Sequence, residues 1–204
     1  MSERTGVLLE SELDADPLKQ FGRWYVAAES AGIRAPHAMA LATATRTGAP
    51  SLRMVLLKGF DETGFVFFTG YDSRKALELE SNPRAALLFF WDPLGRQVRL
   101  EGDVVRVAAE ESDAYFATRP RGAQLTTAAS RQSSVLSGRE ELDSRIEQLA
   151  AEQAETEVPR PDNWGGYRLV PDTYEFWQHR DDRAHDRLRY RLTDRVWVRE
   201  RLSP

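Results

Sequence analysis

Between residues 39 and 107 the chain carries five strand-like segments, 39–44, 52–58, 65–69, 85–91 and 97–107, in quick succession. Turn signals separate them at Thr47-Gly48, at 61–64 and at 92–95. Such spacing suits hairpins and favours an antiparallel sheet or barrel over repeated βαβ units. Helices fit around this β core. Asp16-Pro17 opens an amphipathic helix in which Leu18, Phe21, Trp24, Tyr25 and Ala28 recur at helical spacing until Gly32. Further helices are predicted over 73–80, 110–118 and 139–152, and final strands over 166–177 and 188–201. The expected fold is mainly β with helices (α+β).

The 204 residues suffice for one substantial core, and no Pro/Gly/Ser-rich linker divides them. Residues 15–204 read as a single domain, preceded by a flexible N-terminal segment over 1–14. A net charge of -4 argues against general nucleic-acid binding, which calls for a basic excess or stripe. With no cysteine, disulfides, thiolate nucleophiles and iron–sulfur clusters are excluded, and the three histidines, His37, His179 and His185, are too scattered for a metal site. The apolar run 85–91 is too short to cross a membrane and the acidic N-terminus is unlike a signal peptide, so a soluble cytoplasmic protein is expected.

Positive charge is local. Arg53 and Lys58 flank a strand, and Arg74 and Lys75 follow Ser73 at a predicted helix start. The helix dipole disfavours cations there, and an anion would resolve the conflict, because the first backbone N–H groups together with Arg and Lys form a phosphate cradle. The competing reading is a solvent-exposed pair offset by Glu78 and Glu80. For Arg53 and Lys58 the nearest acids, Asp61 and Glu62, fall in a turn, which leaves a bound phosphate as the expected anion. Farther along, Arg183, His185 and Arg187 would share one face if that stretch is extended. Their alternative is a polar loop in which Arg and Asp pair with each other. Tyr115 and Arg119, four apart, share a helical face on which they could hold a ligand oxygen.

Together these segments resemble the pyridoxamine/pyridoxine 5'-phosphate oxidase family, FMN-dependent enzymes with a split β-barrel of mostly antiparallel strands and peripheral helices. The resemblance rests on Arg53-Met54-Val55-Leu56-Leu57-Lys58, Ser73-Arg74-Lys75-Ala76, Arg96-Gln97-Val98-Arg99, Tyr115-Phe116 with Arg119-Pro120-Arg121, Gln132-Ser133, Trp164-Gly165-Gly166-Tyr167 and Glu175-Phe176-Trp177-Gln178. It implies FMN contacts at Arg53, Met54, Val55, Leu56, Leu57, Lys58, Phe68, Thr69, Arg74, Lys75, Gln97, Gln132, Ser133, Trp177 and Arg187. Arg53, Arg74 and Lys75 would hold the cofactor phosphate. Substrate contacts would fall on Lys58, Tyr115 and Arg119 for a substrate phosphate, and on Arg183 and His185, the expected catalytic pair, for a pyridine ring.

The family builds each site across a homodimer interface. The implied reaction oxidises pyridoxamine or pyridoxine 5'-phosphate to pyridoxal 5'-phosphate, with oxygen as acceptor and peroxide as by-product. The chain departs from the family pattern on the substrate side. Ala123 stands where serine is usual, Ala184 where leucine is, Thr126-Thr127 where Gly-Ala is, and His179-Arg180 where glycine is common. No Arg-x-x-Tyr element precedes Asp16. Two further readings stay open: a related FMN oxidase of another aromatic compound, such as a phenazine-biosynthesis intermediate, and a non-catalytic flavin- or pyridoxal-phosphate-binding protein.

Overall fold

The computed structural model describes residues 6–204. Its centre is a nine-stranded sheet in which all pairs are antiparallel. The strands are β1 (Ala38–Ala44), β2 (Pro50–Leu56), β3 (Gly59–Asp61), β4 (Gly64–Gly70), β5 (Arg84–Trp91), β6 (Arg96–Arg106), β7 (Trp164–Gln178), β8 (Asp186–Thr193) and β9 (Val196–Leu202). They run in the order β2-β1-β5-β6-β7-β4-β3, with β8 on β7 and β9 on β8.

Fifteen-residue β7 splits the sheet. One edge pairs with β6 along almost its whole length, while on the other edge 164–169 pair with β4 and 173–178 pair with β8. The changeover coincides with a bulge opposite Glu101 and Gly102, the kind of irregularity that bends a strand and sharpens its twist. Only glycine suits position 102, because an added Cβ would lie 2.0 Å from the Val170 carbonyl oxygen.

The expected helices appear as α1 (Pro17–Ser30), α2 (Arg74–Ser81), α3 (Ala109–Ala117) and α5 (Arg139–Glu152). Asp16 caps α1, its Oδ1 accepting from the Leu18 N–H at 2.9 Å, and Pro17 occupies the first turn. Two elements are absent from the sequence reading. Pro120 ends α3 as expected but also opens another helix, α4 (Arg121–Ala129), since proline is tolerated where no helical N–H bond is needed. Three-residue β3 is too short to produce a periodic signal.

Alternation along the strands sends Met39, Leu41, Phe65, Phe67, Leu87, Phe89, Leu100, Leu169 and Phe176 into the main core. Helix α1 closes it with Phe21, Trp24 and Ala28. Phe21 is its aromatic hub, with edge-on contacts to Phe60, Phe65 and Phe89 at ring distances of 4.9, 4.9 and 5.0 Å. A smaller cluster of Phe116, Leu125, Val158 and Trp164 joins α3, α4 and the start of β7. The opposite sheet face leaves Leu52, Met54, Leu56 and Phe90 exposed.

Of the segment expected to be flexible, residues 1–5 lie outside the described residues. Beyond them, the Leu8 N–H donates to Asp186, Arg201 donates to the Leu8 carbonyl and to Glu10, and the Tyr190 hydroxyl donates to the Asp14 carbonyl. Leu8 and Leu13 are buried. No helix among the described residues is long and apolar enough to cross a membrane.

Replacing Phe21 with alanine removes the hub of this aromatic cluster. We expect Phe21→Ala to lower unfolding stability by about 3–5 kcal/mol, measured by urea denaturation. A loss below about 1 kcal/mol would show that the α1 contact is peripheral.

Candidate active site

Strand β2 alternates so that Ser51, Arg53 and Val55 point toward the sheet interior while Leu52, Met54 and Leu56 point out. Arg53 reaches across β1, its Nη1 donating to the Leu41 carbonyl at 3.2 Å and to Thr43 Oγ1 at 2.6 Å. Its Nη2 meets Ser51 Oγ and, at 3.5 Å, Glu78 Oε2. Glu78, on the inner face of α2, is 5% exposed and also accepts from Thr43, Ser51 and Arg74 Nε, the last at 2.9 Å. Burial alone would raise the Glu78 pKa. The Ser51, Thr43 and Arg74 hydrogen bonds and the Arg74 charge outweigh burial and hold it at about 2.

An internal anion for Arg53 and Arg74 is therefore present: the offset by Glu78 that is the competing reading for Arg74 is realised, and for Arg53 this carboxylate corrects the expectation of a bound phosphate as its anion. Its signal was legible only for Arg74, four residues before Glu78 on one helix; the Arg53 contact spans 25 residues. One carboxylate against Arg53, Arg74 and Lys75 still leaves an excess of positive charge. Arg74 binds Glu78 through Nε, so its terminal nitrogens remain for a ligand.

Lys75 is the more unusual group. It is 7% exposed, and its Nζ donates to Thr69 Oγ1 at 2.9 Å and Ser73 Oγ at 3.2 Å, both uncharged. Ser73 occupies the N-cap position but spends its hydroxyl on Lys75 rather than on the helix. Burial, helped by the neighbouring Arg53 charge, lowers the Lys75 pKa to about 8. Gln132 crosses from the loop after α4, its Oε1 accepting from Thr69 Oγ1 (2.8 Å) and the Gly70 N–H (2.9 Å). Beside it, Ser133, held at φ 71°, accepts from the Arg74 N–H at 3.3 Å.

Of these groups, Ser51, Arg53, Thr69, Arg74, Lys75, Gln132 and Ser133 line a cleft of about 880 Å³. The cleft unites Arg53, Met54, Val55, Leu56, Lys58, Phe68, Thr69, Arg74, Lys75, Tyr115, Arg119, Gln132 and Ser133. Leu57 does not share it: its side chain is in the core and its N–H donates to the His37 carbonyl at 2.9 Å.

At the far end of the cleft, Tyr115, Phe68 and Trp164 form a stack, with ring distances of 4.0 Å and 5.4 Å from the central Phe68. Lys58 Nζ lies 5.7 Å from the Tyr115 ring centre, and Arg119 lies over Trp164 at 4.9 Å. Arg119 Nη1 donates to Thr127 Oγ1 at 2.7 Å, and burial lowers its pKa. No carboxylate among the described residues pairs with Lys58, Lys75 or Arg119. Sequence reading places Thr127 among the substrate-side departures and Trp164 in a family motif but gives neither its contact with Arg119.

The other expected residues form a second group away from the cleft. In register, Phe90, Gln97, Trp177, Arg187 and Leu202 lie side by side across β5 to β9 on the outward sheet face. Arg187 Nε donates to buried Glu175 at 2.8 Å, whose other oxygen accepts from Arg99 at 2.7 Å. The His185 ring lies 4.7 Å from Trp177, and its Nδ1 accepts from the Arg180 N–H at 3.1 Å, which puts the ring proton on Nε2. The expected alternation of Arg183, His185 and Arg187 along one strand is not realised. Strand β8 starts only at Asp186, and Arg183 sits in a turn at φ 62°, closed by Asp182, which accepts from the Ala184 N–H and pairs with Arg180. The polar-loop alternative describes 180–184 correctly.

Fold and cleft define a split-barrel protein with a cation-lined site suited to a phosphorylated ligand. The chain belongs to the pyridoxamine 5'-phosphate oxidase family: the model of that description matches residues 26–153, and that of the pyridoxine 5'-phosphate oxidase C-terminal dimerisation region matches 164–204. A pyridoxine/pyridoxamine 5'-phosphate oxidase from Rubrobacter xylanophilus is 56% identical over 97% of this chain and 91% of its own length. Its counterpart from Bordetella pertussis is 52% identical over 100% of this chain and 96% of its own. Among solved structures, PhzG from Burkholderia lata, in complex with tetrahydrophenazine-1-carboxylic acid, superposes with a TM-score of 0.93 at 34% identity, covering 98% of this chain and all of that one. The protein is a homodimer of this family, and three residues of the outward row, Trp177, Arg187 and Leu202, fall in the matched dimerisation region.

A buried ammonium with a pKa of about 8 makes anion binding pH-dependent. The charged form is the one that binds a phosphate, and a bound anion raises its pKa. Affinity for FMN is therefore expected to be flat from pH 7 to 7.5 and to fall above about 8, by up to tenfold per pH unit. The ligand phosphate is already ionised in this range, so the fall isolates the lysine. Flavin-fluorescence titrations would check this, with Lys75→Met weaker and flat across the same range.

Proposed function

We infer that this protein oxidises pyridoxamine 5'-phosphate and pyridoxine 5'-phosphate to pyridoxal 5'-phosphate, using FMN as cofactor. The relatives of 52–56% identity carry this activity in their names, and they cover nearly the whole chain. The observation in the site that carries the reading is the pairing of two anion-ready regions in one cleft: Arg53, Arg74 and Lys75 at one end, Lys58 and Arg119 at the other. Two phosphorylated molecules, cofactor and substrate, meet that demand.

The donor set fits FMN. A buried Lys75 held only by hydroxyls, and an Arg74 with terminal nitrogens to spare, are groups a phosphate would complete. When bound, FMN would supply the two-electron redox chemistry at the substrate's C4' carbon, with oxygen as final acceptor and peroxide as by-product; with the amine substrate the overall reaction also consumes water and releases ammonia. The protein's part is binding and orientation. Met54, Val55, Leu56 and Thr69 wall the cofactor, and Gln132 and Ser133 close over its phosphate end. Lys58, Tyr115 and Arg119 grip the substrate phosphate while the Phe68–Trp164 stack shields that subsite from water.

In this reading Gln97, Trp177, Arg187, Arg183 and His185 act on the cleft of the partner protomer, which accounts for their separation from their own chain's cleft. Glu175 orients Arg187 toward the cofactor, and His185 offers Nε2–H as a neutral donor to the substrate ring. Arg183, exposed in its turn, supplies positive charge beside the ring.

The likeness to PhzG supports a second reading, oxidation of a phenazine precursor, whose carboxylate could meet the same cations. One experiment separates the two. Aerobic incubation of the FMN-loaded protein with pyridoxamine 5'-phosphate is expected to yield pyridoxal 5'-phosphate and peroxide. No product would remove the first reading and favour the second. In the same assay Arg183→Ala should lower kcat/KM by roughly tenfold or more with flavin content unchanged. Loss of flavin instead would move Arg183 to the cofactor side.

A further inference from the structure

Helix α4 turns one polar face to the cleft. Thr126, Thr127 and Ser130 all line it, and Ala123 lies one turn earlier on the same side, at i, i+3, i+4 and i+7. Three of the four carry hydroxyls. The Thr126 hydroxyl proton is already committed to its own helix, donated to the Gly122 carbonyl at 2.8 Å. Thr127 differs. Its Oγ1 is the acceptor for Arg119 Nη1 at 2.7 Å, and an oxygen that accepts this bond still has its own proton to give.

Arg119 depends on this contact. Its guanidinium rests on the Trp164 ring and near Phe116, both apolar platforms, and Thr127 is its single hydrogen-bonded side-chain partner among the described residues. Rotation over a flat ring is otherwise unopposed, so the hydroxyl sets which edge of the planar fork faces the cleft. Charge-assisted donation also polarises the Thr127 O–H, making it a better donor to an anion beyond.

We propose that Thr127 is a substrate-phosphate ligand and positioning residue: it orients Arg119 and donates its own proton to a phosphate oxygen of the bound B6 vitamer, in place of a hydroxyl that Ala123 lacks. This rests on the reading that the Lys58–Arg119 end of the cleft takes the substrate phosphate.

The test uses the full-length, FMN-loaded dimer with Thr127→Val, which keeps shape and removes the hydroxyl, and Thr127→Ser, which restores it. Two readouts are needed: steady-state oxidation of pyridoxamine 5'-phosphate, and calorimetric binding of pyridoxal 5'-phosphate, which does not require turnover. Thr127→Val is expected to raise KM and the pyridoxal 5'-phosphate Kd roughly fivefold to tenfold, with a much smaller change in kcat. Flavin content and Tm should match the parent, and Thr127→Ser should recover most of the affinity. Unchanged Kd and KM in Thr127→Val, a loss that Thr127→Ser fails to recover, or a fall in kcat alone would each overturn the assignment. If the parent protein binds pyridoxal 5'-phosphate in a Thr127-dependent way yet oxidises no pyridoxamine 5'-phosphate, the phosphate ligand stands and the proposed reaction falls. If the parent binds no pyridoxal 5'-phosphate, the assignment of Thr127 falls with it.

Discussion

Strand β7 must satisfy three neighbours, and the rest of the architecture follows from how it does so. One edge is fully hydrogen-bonded to β6, while the other serves β4 and then β8. A strand cannot do this flat, and the bulge at Gly102, where the Val170 carbonyl occupies the space of a side chain, supplies the bend. On one side of the bend β7 carries Trp164, the platform under Arg119. On the other it carries Glu175 and Trp177, in the group that lies apart from the cleft. One strand thus sends residues to two separate surfaces, a division that suits sites shared between two protomers.

Charge is handled by two different devices. Glu78 and Glu175, 5% and 3% exposed, each receive two arginines: Arg53 with Arg74, and Arg99 with Arg187. These carboxylates fix the orientation of their arginine forks, and each pair is hydrogen-bonded well enough to offset part of its desolvation. Lys75, Lys58 and Arg119 are held by hydroxyls and aromatic rings alone. Of these only Lys75 is buried, with Arg119 half-buried and Lys58 exposed; an unpaired buried cation is costly, and a ligand phosphate is the natural group to relieve that cost at Lys75. The compensated cations therefore shape the site, and the uncompensated ones create its demand for anions.

Much of the fold was legible. Strand positions came from alternation and turn residues, and α1, α2, α3 and α5 from helical spacing with Asp16, Pro17 and Pro120 as punctuation. Helix α4 escaped because Pro120 carries two messages at once, ending one helix and opening another, and β3 because three residues have no period. Within the site, Arg74 and Lys75 at a helix start were readable as local chemistry. Glu78 as counter-ion to Arg53 was not, because the pair is separated by 25 residues and brought together only by the packing of α2 on β1 and β2. The expected line of Arg183, His185 and Arg187 failed for a local reason: Asp182 caps the Ala184 N–H and folds the chain into a turn before β8 begins.

The sequence by itself determined the class of fold, the family and the list of cations, since periodicity, turn chemistry and ordered motifs are properties of the chain. Only the tertiary structure decided which of those cations are already neutralised, which face an open cleft, and which hydroxyls hold them. Ion pairing and desolvation depend on distances between segments remote in sequence. For that reason Leu57 moved to the core, Arg187 acquired Glu175, and Thr127 entered the site.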